Sequence, residues 1–115
     1  MSTQAIIPVV ALGVYRHVAA TTVDLFAGTP YTMAAILDLN SEPAAFQYTP
    51  HNFGVVLQAL IPRPQVFVTG ARISEEMTRE SIGVWEDYVR VNEVKNALVI
   101  NVSLMDCWML DDNAK

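Results

Sequence analysis

Cysteine is scarce in this chain of 115 residues, which contains one thiol, at Cys107. A single thiol cannot form an internal disulfide, so a reducing cytoplasm is the expected compartment. Cys107 adjoins Asp106, and a neighbouring carboxylate disfavours the reactive thiolate form. We therefore expect Cys107 to act as a small buried hydrophobe and not as a nucleophile.

Metal ligands and phosphate-binding loops are equally scarce. The chain has two histidines, His17 and His51, and no two of its histidines and cysteine stand at HxxxH or CxxC spacing. Zinc sites need three or four protein ligands, so the sequence predicts no metal site. The five glycines are isolated and form neither GxGxxG nor GxxxxGK, which excludes nucleotide binding by those loops. No cofactor is expected.

Positive charge is sparse, and charge of either sign is unevenly distributed. The chain has seven basic and twelve acidic residues, for a net charge of −5, which disfavours nucleic-acid binding through a basic surface. Residues 1–62 carry only Arg16, Asp24, Asp38 and Glu42 as charged side chains. This half of the chain is therefore expected to be mostly buried, in its own core or against a partner.

A membrane span requires about 18 or more consecutive apolar residues, and no apolar run in this chain is that long. The longest runs, Ala5–Tyr15 and Phe53–Ile61, are broken or too short. No Lys or Arg precedes Ala5–Tyr15, and Arg16 and His17 follow it where a signal peptide has small cleavage-site residues. We expect neither a membrane segment nor a signal peptide.

Apolar residues make up 52% of the chain, which excludes a disordered chain and supports one globular domain over residues 1–115. Thr-Pro occurs at 29–30 and again at 49–50. Threonine caps helices well, and proline fits the first helical position, so helices are expected near 30–39 and 50–61. The β-branched content of the second segment leaves a strand there as the alternative. Its helical face would comprise Phe53, Val56, Leu57 and Leu60.

A third, short helix is expected near 74–80. Ser74 is a good cap, and the carboxylates of Glu75 and Glu76 complement the positive start of a helix.

Alternation of apolar and polar residues predicts four strands, near 9–18, 65–72, 84–91 and 97–105. The polar segment 92–96 has the length of a hairpin loop and would join the last two strands, with Ile100 fully buried. The expected fold is α+β, with an antiparallel or mixed sheet and two or three short helices on one face.

Tyr15, Arg16 and His17 form the densest polar cluster of the N-terminal half. A strand end that emerges into solvent has this composition, and we favour that interpretation. The alternative is an anion or carboxylate site, because Tyr15 and His17 share one face of a strand, with Arg16 as candidate ligand and His17 as acid or base.

The other candidate site residues are His51 and three aromatic residues. His51 stands at the start of the second helix, where a catalytic role competes with a simple solvent contact. Three aromatic residues are candidate ligand contacts in a small-molecule pocket, although aromatic residues at this density are more often core: Trp85, Tyr88 and Trp108.

These observations favour a small acidic, self-associating binding module without catalytic chemistry, which binds a partner protein or a small apolar ligand. A small hydrolase- or isomerase-like enzyme with a site at a subunit interface around Tyr15 and His17 is the alternative, and a structural component of a phage or virus particle is a third. The few charged residues leave apolar area on the surface of so small a domain, and a second copy of the chain would bury it. We therefore expect a two-fold homodimer. The expected interface is the 9–18 strand, or the 50–61 helix with Val55 and Leu60; pairing of an edge strand would serve equally.

Overall fold

The computed structural model describes residues 6–14, 26–39, 47–70 and 72–101. Strands and helices alternate along most of this chain. In sequence order the elements are β1 (Ile7–Leu12), β2 (Tyr31–Leu37), α1 (Pro50–Ala59), β3 (Val66–Thr69), α2 (Glu75–Asn92) and β4 (Leu98–Asn101).

The four strands form one sheet in the order β2-β1-β3-β4, and all three neighbouring pairs are parallel. The expectation that helices and strands both occur is confirmed, but the expected antiparallel or mixed sheet is wrong. The expected hairpin is absent because residues 84–91 belong to α2 and form no strand. This helix carries the chain from the carboxyl end of β3 back to the amino end of β4, as a parallel connection requires.

Helix α2 begins where the Ser74 hydroxyl accepts a hydrogen bond from the Met77 amide at 3.1 Å. The expected helix start at 74 is therefore confirmed, but the helix continues to Asn92 and does not stop near residue 80. Glu93 ends it in the left-handed conformation, with φ of 51°. The buried positions recur with helical spacing and face the sheet: Thr78, Ser81, Trp85 and Tyr88.

Strand β2 occupies the segment 30–39, for which a helix was expected, so that prediction is wrong. The Thr29 hydroxyl donates back to the Phe26 carbonyl oxygen at 2.6 Å and therefore belongs to a turn and not to a helix cap. The Pro30 carbonyl oxygen accepts from the Ile7 amide at 2.9 Å, which starts the pairing with β1. Pairing with a buried strand overrides the helical propensity of this short segment.

The remaining elements lie close to their expected positions. The helix expected at 50–61 is confirmed as α1, and Thr49 caps it by accepting a hydrogen bond from the Asn52 amide at 2.9 Å. The strands expected near 9–18, 65–72 and 97–105 correspond to β1, β3 and β4, and β1 and β3 are shorter than predicted. Residues 15–18, 71 and 102–105 of those segments lie outside the described residues.

The sheet buries apolar side chains on both faces. On the face that α1 and α2 cover, Phe67 lies at the centre, with its ring centroid 4.7 Å from Phe53 and 5.7 Å from Trp85. On the other face, Phe26 from the connection between β1 and β2 packs against a second buried cluster: Val9, Ala11, Ile36, Val66 and Val68.

Ile100 is 38% exposed, so the expectation that it is fully buried is wrong. Its neighbour Val99 packs against the helix-covered core instead. The alternation along this strand was recognised, but the face assigned to the core was the opposite one, because the parallel topology places α2 over Val99.

Candidate functional site

An open cleft of about 670 Å³ runs between α1 and α2 on the outer surface of the helical layer. One wall comes from α1 and the other from α2, and each wall uses residues that recur once per helical turn. The lining residues are Pro50, His51, Gly54, Val55, Gln58, Ala59, Val84, Asp87, Tyr88 and Val91.

The α1 wall carries no charge. Helix α1 buries Phe53 and Leu57 against the sheet, and this fixes which side of the helix remains outside. No residue between Pro50 and Ala59 is charged, although half of this surface helix is exposed. Val55 faces the cleft with 53% of its surface exposed. An uncharged and partly apolar outer surface is unusual for a helix in contact with water.

The α2 wall combines apolar residues with one ion pair. Val84, Tyr88 and Val91 line it at helical spacing, and Val91 is 65% exposed. The carboxylate of Asp87 accepts a hydrogen bond from the Arg90 guanidinium at 2.8 Å. The charge of Asp87 is therefore partly balanced at the rim, and the cleft itself is close to neutral.

His51 and Asp87 line the same cleft, and an acid–base site would require the two side chains to lie within hydrogen-bond reach of each other. In the described part of the chain, no hydrogen bond or ion pair joins the two side chains, and the Asp87 carboxylate bonds to Arg90 instead. The geometry thus offers apolar contact surface and hydrogen-bonding groups at the rim. It does not present a histidine oriented by a carboxylate.

Tyr88 forms the floor of the cleft and is 4% exposed. Its hydroxyl donates to the Pro64 carbonyl oxygen at 2.7 Å and so ties α2 to the segment before β3. Burial raises the pKa of the Tyr88 phenol above its ordinary value, and Arg63 opposes part of that rise. Tyr88 therefore supports the bottom of the cleft, and its hydroxyl is already hydrogen-bonded to Pro64.

We expect Tyr88→Phe to make the stability less sensitive to alkaline pH. A raised phenol pKa means that the unfolded chain loses this proton first, so the wild type loses stability as pH rises above about 10, the ordinary tyrosine value. The variant has no phenol at this position and should lose less stability over the same range. Urea unfolding at pH 8 and above pH 10 measures how much stability the wild type and the variant each lose. An equal loss in the two proteins would contradict this account.

Trp85 is the other sequence candidate within the described residues, and it does not line the cleft. Trp85 is 2% exposed and packs in the core between Phe67 and Tyr88, with ring centroids 5.7 and 5.2 Å away. Of the three candidates within the described residues, His51 and Tyr88 therefore lie at the cleft and Trp85 does not. The remaining candidates fall outside the described residues: Tyr15, Arg16, His17 and Trp108.

Sequence reasoning missed the α2 wall, because residues 84–91 were assigned to a strand. Val84, Tyr88 and Val91 stand at helical spacing in the sequence, so the signal was present. It was obscured by the looser alternation of the same residues. Val55 was expected at an interface, and the structure places it at the cleft.

A buried polar group also lies at the carboxyl edge of the sheet, where the parallel strands end. In the described ranges, the Thr69 hydroxyl at the end of β3 is the only fully buried side-chain polar atom without a hydrogen-bond partner. Gly70 follows it and approaches β1 closely: its amide donates to the Leu12 carbonyl oxygen at 2.7 Å. A Cβ at Gly70 would lie 3.2 Å from that oxygen, so the close approach leaves little space for a side chain. Ligands of open parallel sheets commonly bind outside such an edge.

The described residues contain no group of three or more His, Cys, Asp or Glu residues placed to hold a metal ion. Among the helices in these ranges, none combines the length and the apolar composition that crossing a bilayer demands.

Comparison with known proteins gives no family for this chain. No protein-family model matches it, and no curated protein and no solved structure is significantly similar to it.

Proposed function

We propose that the protein is a small homo-oligomeric binding module without catalytic chemistry of its own, which binds an apolar helical segment of a partner protein in the cleft between α1 and α2. The observation that carries this proposal is the uncharged α1 wall of a cleft of about 670 Å³, in which Val55 on α1 and Val91 on α2 are both exposed.

The apolar character of the cleft supports binding of an apolar partner surface. Covering an exposed valine with another apolar surface stabilises the complex by about 25 cal/mol for each Å² of apolar surface buried. Val55 and Val91 leave 53% and 65% of their surfaces exposed, so both have area to bury. At the rim, His51 can face water or the edge of the partner, and Gln58 accepts a hydrogen bond from the Arg63 guanidinium at 3.4 Å.

The shape of the cleft favours a helix over a small molecule. Pockets for small molecules bury most of the surface of the ligand, whereas this cleft is open along its length. Its walls are two helical stripes, and a third helix with an apolar stripe packs into such a groove by the same ridge-and-groove geometry. A small apolar ligand is the alternative occupant.

Binding of the neutral apolar fluorophore Nile red tests the cleft. We expect the dye to bind and to shift the amide resonances of Val55, Gln58 and Val91. Val55→Asp and Val91→Asp should each weaken binding about tenfold or more, because they place a carboxylate in the apolar contact. Ile6→Asp is the matched control, since Ile6 is 57% exposed and does not line the cleft.

Two results would contradict the proposal: the absence of Nile red binding, or binding that the Val55 and Val91 variants leave unchanged. Helical peptides with one apolar stripe then distinguish the two occupants, because a peptide that occupies the cleft displaces the dye. Failure of every such peptide, with dye binding retained, would favour the small apolar ligand.

The sequence supports the other parts of the proposal. Charged residues make up 17% of the chain, below the about 25% of average proteins, which favours a homo-oligomer that covers apolar surface. The net charge of −5 disfavours partners that are nucleic acids. The single cysteine suits the cytoplasm.

A further inference from the structure

We infer that two copies of the chain join through β4, which pairs with its own symmetry mate in antiparallel orientation around a two-fold axis at Val99. The inference rests on the proposed homo-oligomer and names the surface that forms it. It is independent of what the cleft between α1 and α2 binds.

Strand β4 is an edge of the sheet, with β3 as its only neighbour among the described strands. The Leu98 amide donates to the Gln65 carbonyl oxygen at 2.9 Å, and the register pairs Val66 with Leu98. In a parallel ladder, alternate residues direct both backbone groups to the same neighbour. Leu98 and Ile100 therefore bond to β3, and the N–H and C=O of Val99 point away from it.

The side chains of β4 leave an apolar strip beside this free backbone. Leu98 is 47% and Ile100 38% exposed. Both share a face with Val66 and Val68, which are buried, so the covered surface of the sheet ends at β4. The six residues from Asn96 to Asn101 contain neither a charge nor a proline. Edge strands commonly carry charges or prolines against uncontrolled pairing, and β4 carries neither.

The opposite edge of the sheet differs from β4 in two ways. Strand β2 contains a bulge where the register shifts between Val9 and Val10 of its partner. Asp38, directly after β2, forms a parallel bridge with Gln47, and the Tyr48 amide donates to the Asp38 carbonyl oxygen at 2.6 Å. Bulges and covering segments protect an edge from a second chain. Within the part of the chain that the structure describes, β4 is therefore the edge that no segment covers.

The chemistry of β4 is self-complementary, which points to a second copy as its occupant. With the two-fold axis at Val99, the N–H of each Val99 donates to the C=O of the other, and the outward groups of both are satisfied. In the same register, Leu98 of each copy stands opposite Ile100 of the other on one face of the extended sheet. The exposed apolar strips then cover each other, and no like charges meet.

The described part of β4 has four residues, so we expect a weak dimer. Interfaces that bury less than about 1,200 Å² in total are typical of transient association. Light scattering should therefore show a mass that rises with concentration from 12.7 kDa toward about twice that value. The amide of Val99 should exchange at least about tenfold more slowly at high concentration, while Leu98 and Ile100, which bond to β3 in the monomer, change little.

Val99→Pro is the decisive variant. Proline removes the outward N–H and leaves the ladder with β3 intact, because that N–H takes no part in it. The expected result is a monomer at every concentration, with native circular dichroism and unchanged Nile red binding. Val99→Ala is the matched control: it removes the same side chain but keeps the N–H, and it should still dimerise.

Several results would overturn the inference. One is a wild type that stays monomeric. Another is a Val99 amide that is protected equally at all concentrations, because the same chain then covers the edge. A third is a dimer that Val55→Asp abolishes and Val99→Pro leaves intact. If Val99→Pro does not fold, Ile100→Lys replaces it, and the exchange measurement on the wild type needs no variant. Nile red binding reports on the cleft alone, so failure of the dimer and failure of the cleft are distinguishable.

Discussion

Phe67→Ala should lower the free energy of unfolding by about 3–5 kcal/mol. Phe67 is fully buried on β3, and its ring packs between those of Phe53 on α1 and Trp85 on α2. Truncation removes the contact that both helices share with the sheet and leaves a cavity at the centre of the core. A small domain has about 5–15 kcal/mol of stability in total, so the variant should be close to unfolding at 37 °C.

Urea unfolding followed by tryptophan fluorescence measures this loss. Val91→Ala is the control, because Val91 is an apolar residue of α2 with 65% of its surface exposed. It should change the stability by no more than about 0.5 kcal/mol. Equal effects of the two substitutions would mean that the layer of α1 and α2 does not pack on β3 as described.

The elements that local chemistry determines were predictable from the sequence. The start of α1 follows from local contacts, because Thr49 accepts a hydrogen bond from the Asn52 amide and Pro50 occupies the first turn. The apolar residues of β1 and β3 form short buried strands wherever a sheet is available. These predictions needed only neighbouring residues, and the structure confirms the elements with shorter bounds.

Strand β2 shows where local chemistry is insufficient. The dipeptide at 29–30 is the same as that at 49–50, yet the first lies in a turn before a strand and the second starts a helix. The difference comes from β1, whose Ile7 amide bonds to the Pro30 carbonyl oxygen. That contact joins residues far apart in sequence, and no local pattern contains it.

The error at 84–91 had the largest consequences. A strand at 84–91 makes the polar segment 92–96 a hairpin loop, and an antiparallel pair follows from it. In the structure, the same loop ends α2 and returns the chain to a parallel strand. The missed helix also removed one wall of the cleft from the predicted site, so His51 and Tyr88 were candidates without a shared surface.

Glu86→Pro tests the helix at this position and should cost about 3 kcal/mol or more. Glu86 lies in the interior of α2 and is exposed, so its side chain makes little contribution to packing. Proline removes one helical hydrogen bond, and its ring clashes with the preceding turn. Tyr88, which bonds to Pro64 and forms the floor of the cleft, lies two residues after Glu86. A kink at residue 86 therefore also disturbs the floor of the cleft.

Two variants of the same helix separate this backbone effect from loss of a side chain. Glu86→Ala keeps the helical hydrogen bond and should leave the stability within about 0.5 kcal/mol of wild type. Gly83→Ala should raise it by roughly 0.5–1 kcal/mol, because alanine favours helices and a Cβ at Gly83 meets no atom within 4 Å. If residues 84–91 formed a strand with a free edge, proline would be tolerated and alanine would not stabilise. A cost for Glu86→Pro below about 1 kcal/mol in urea unfolding would therefore contradict α2 and the parallel connection that it provides.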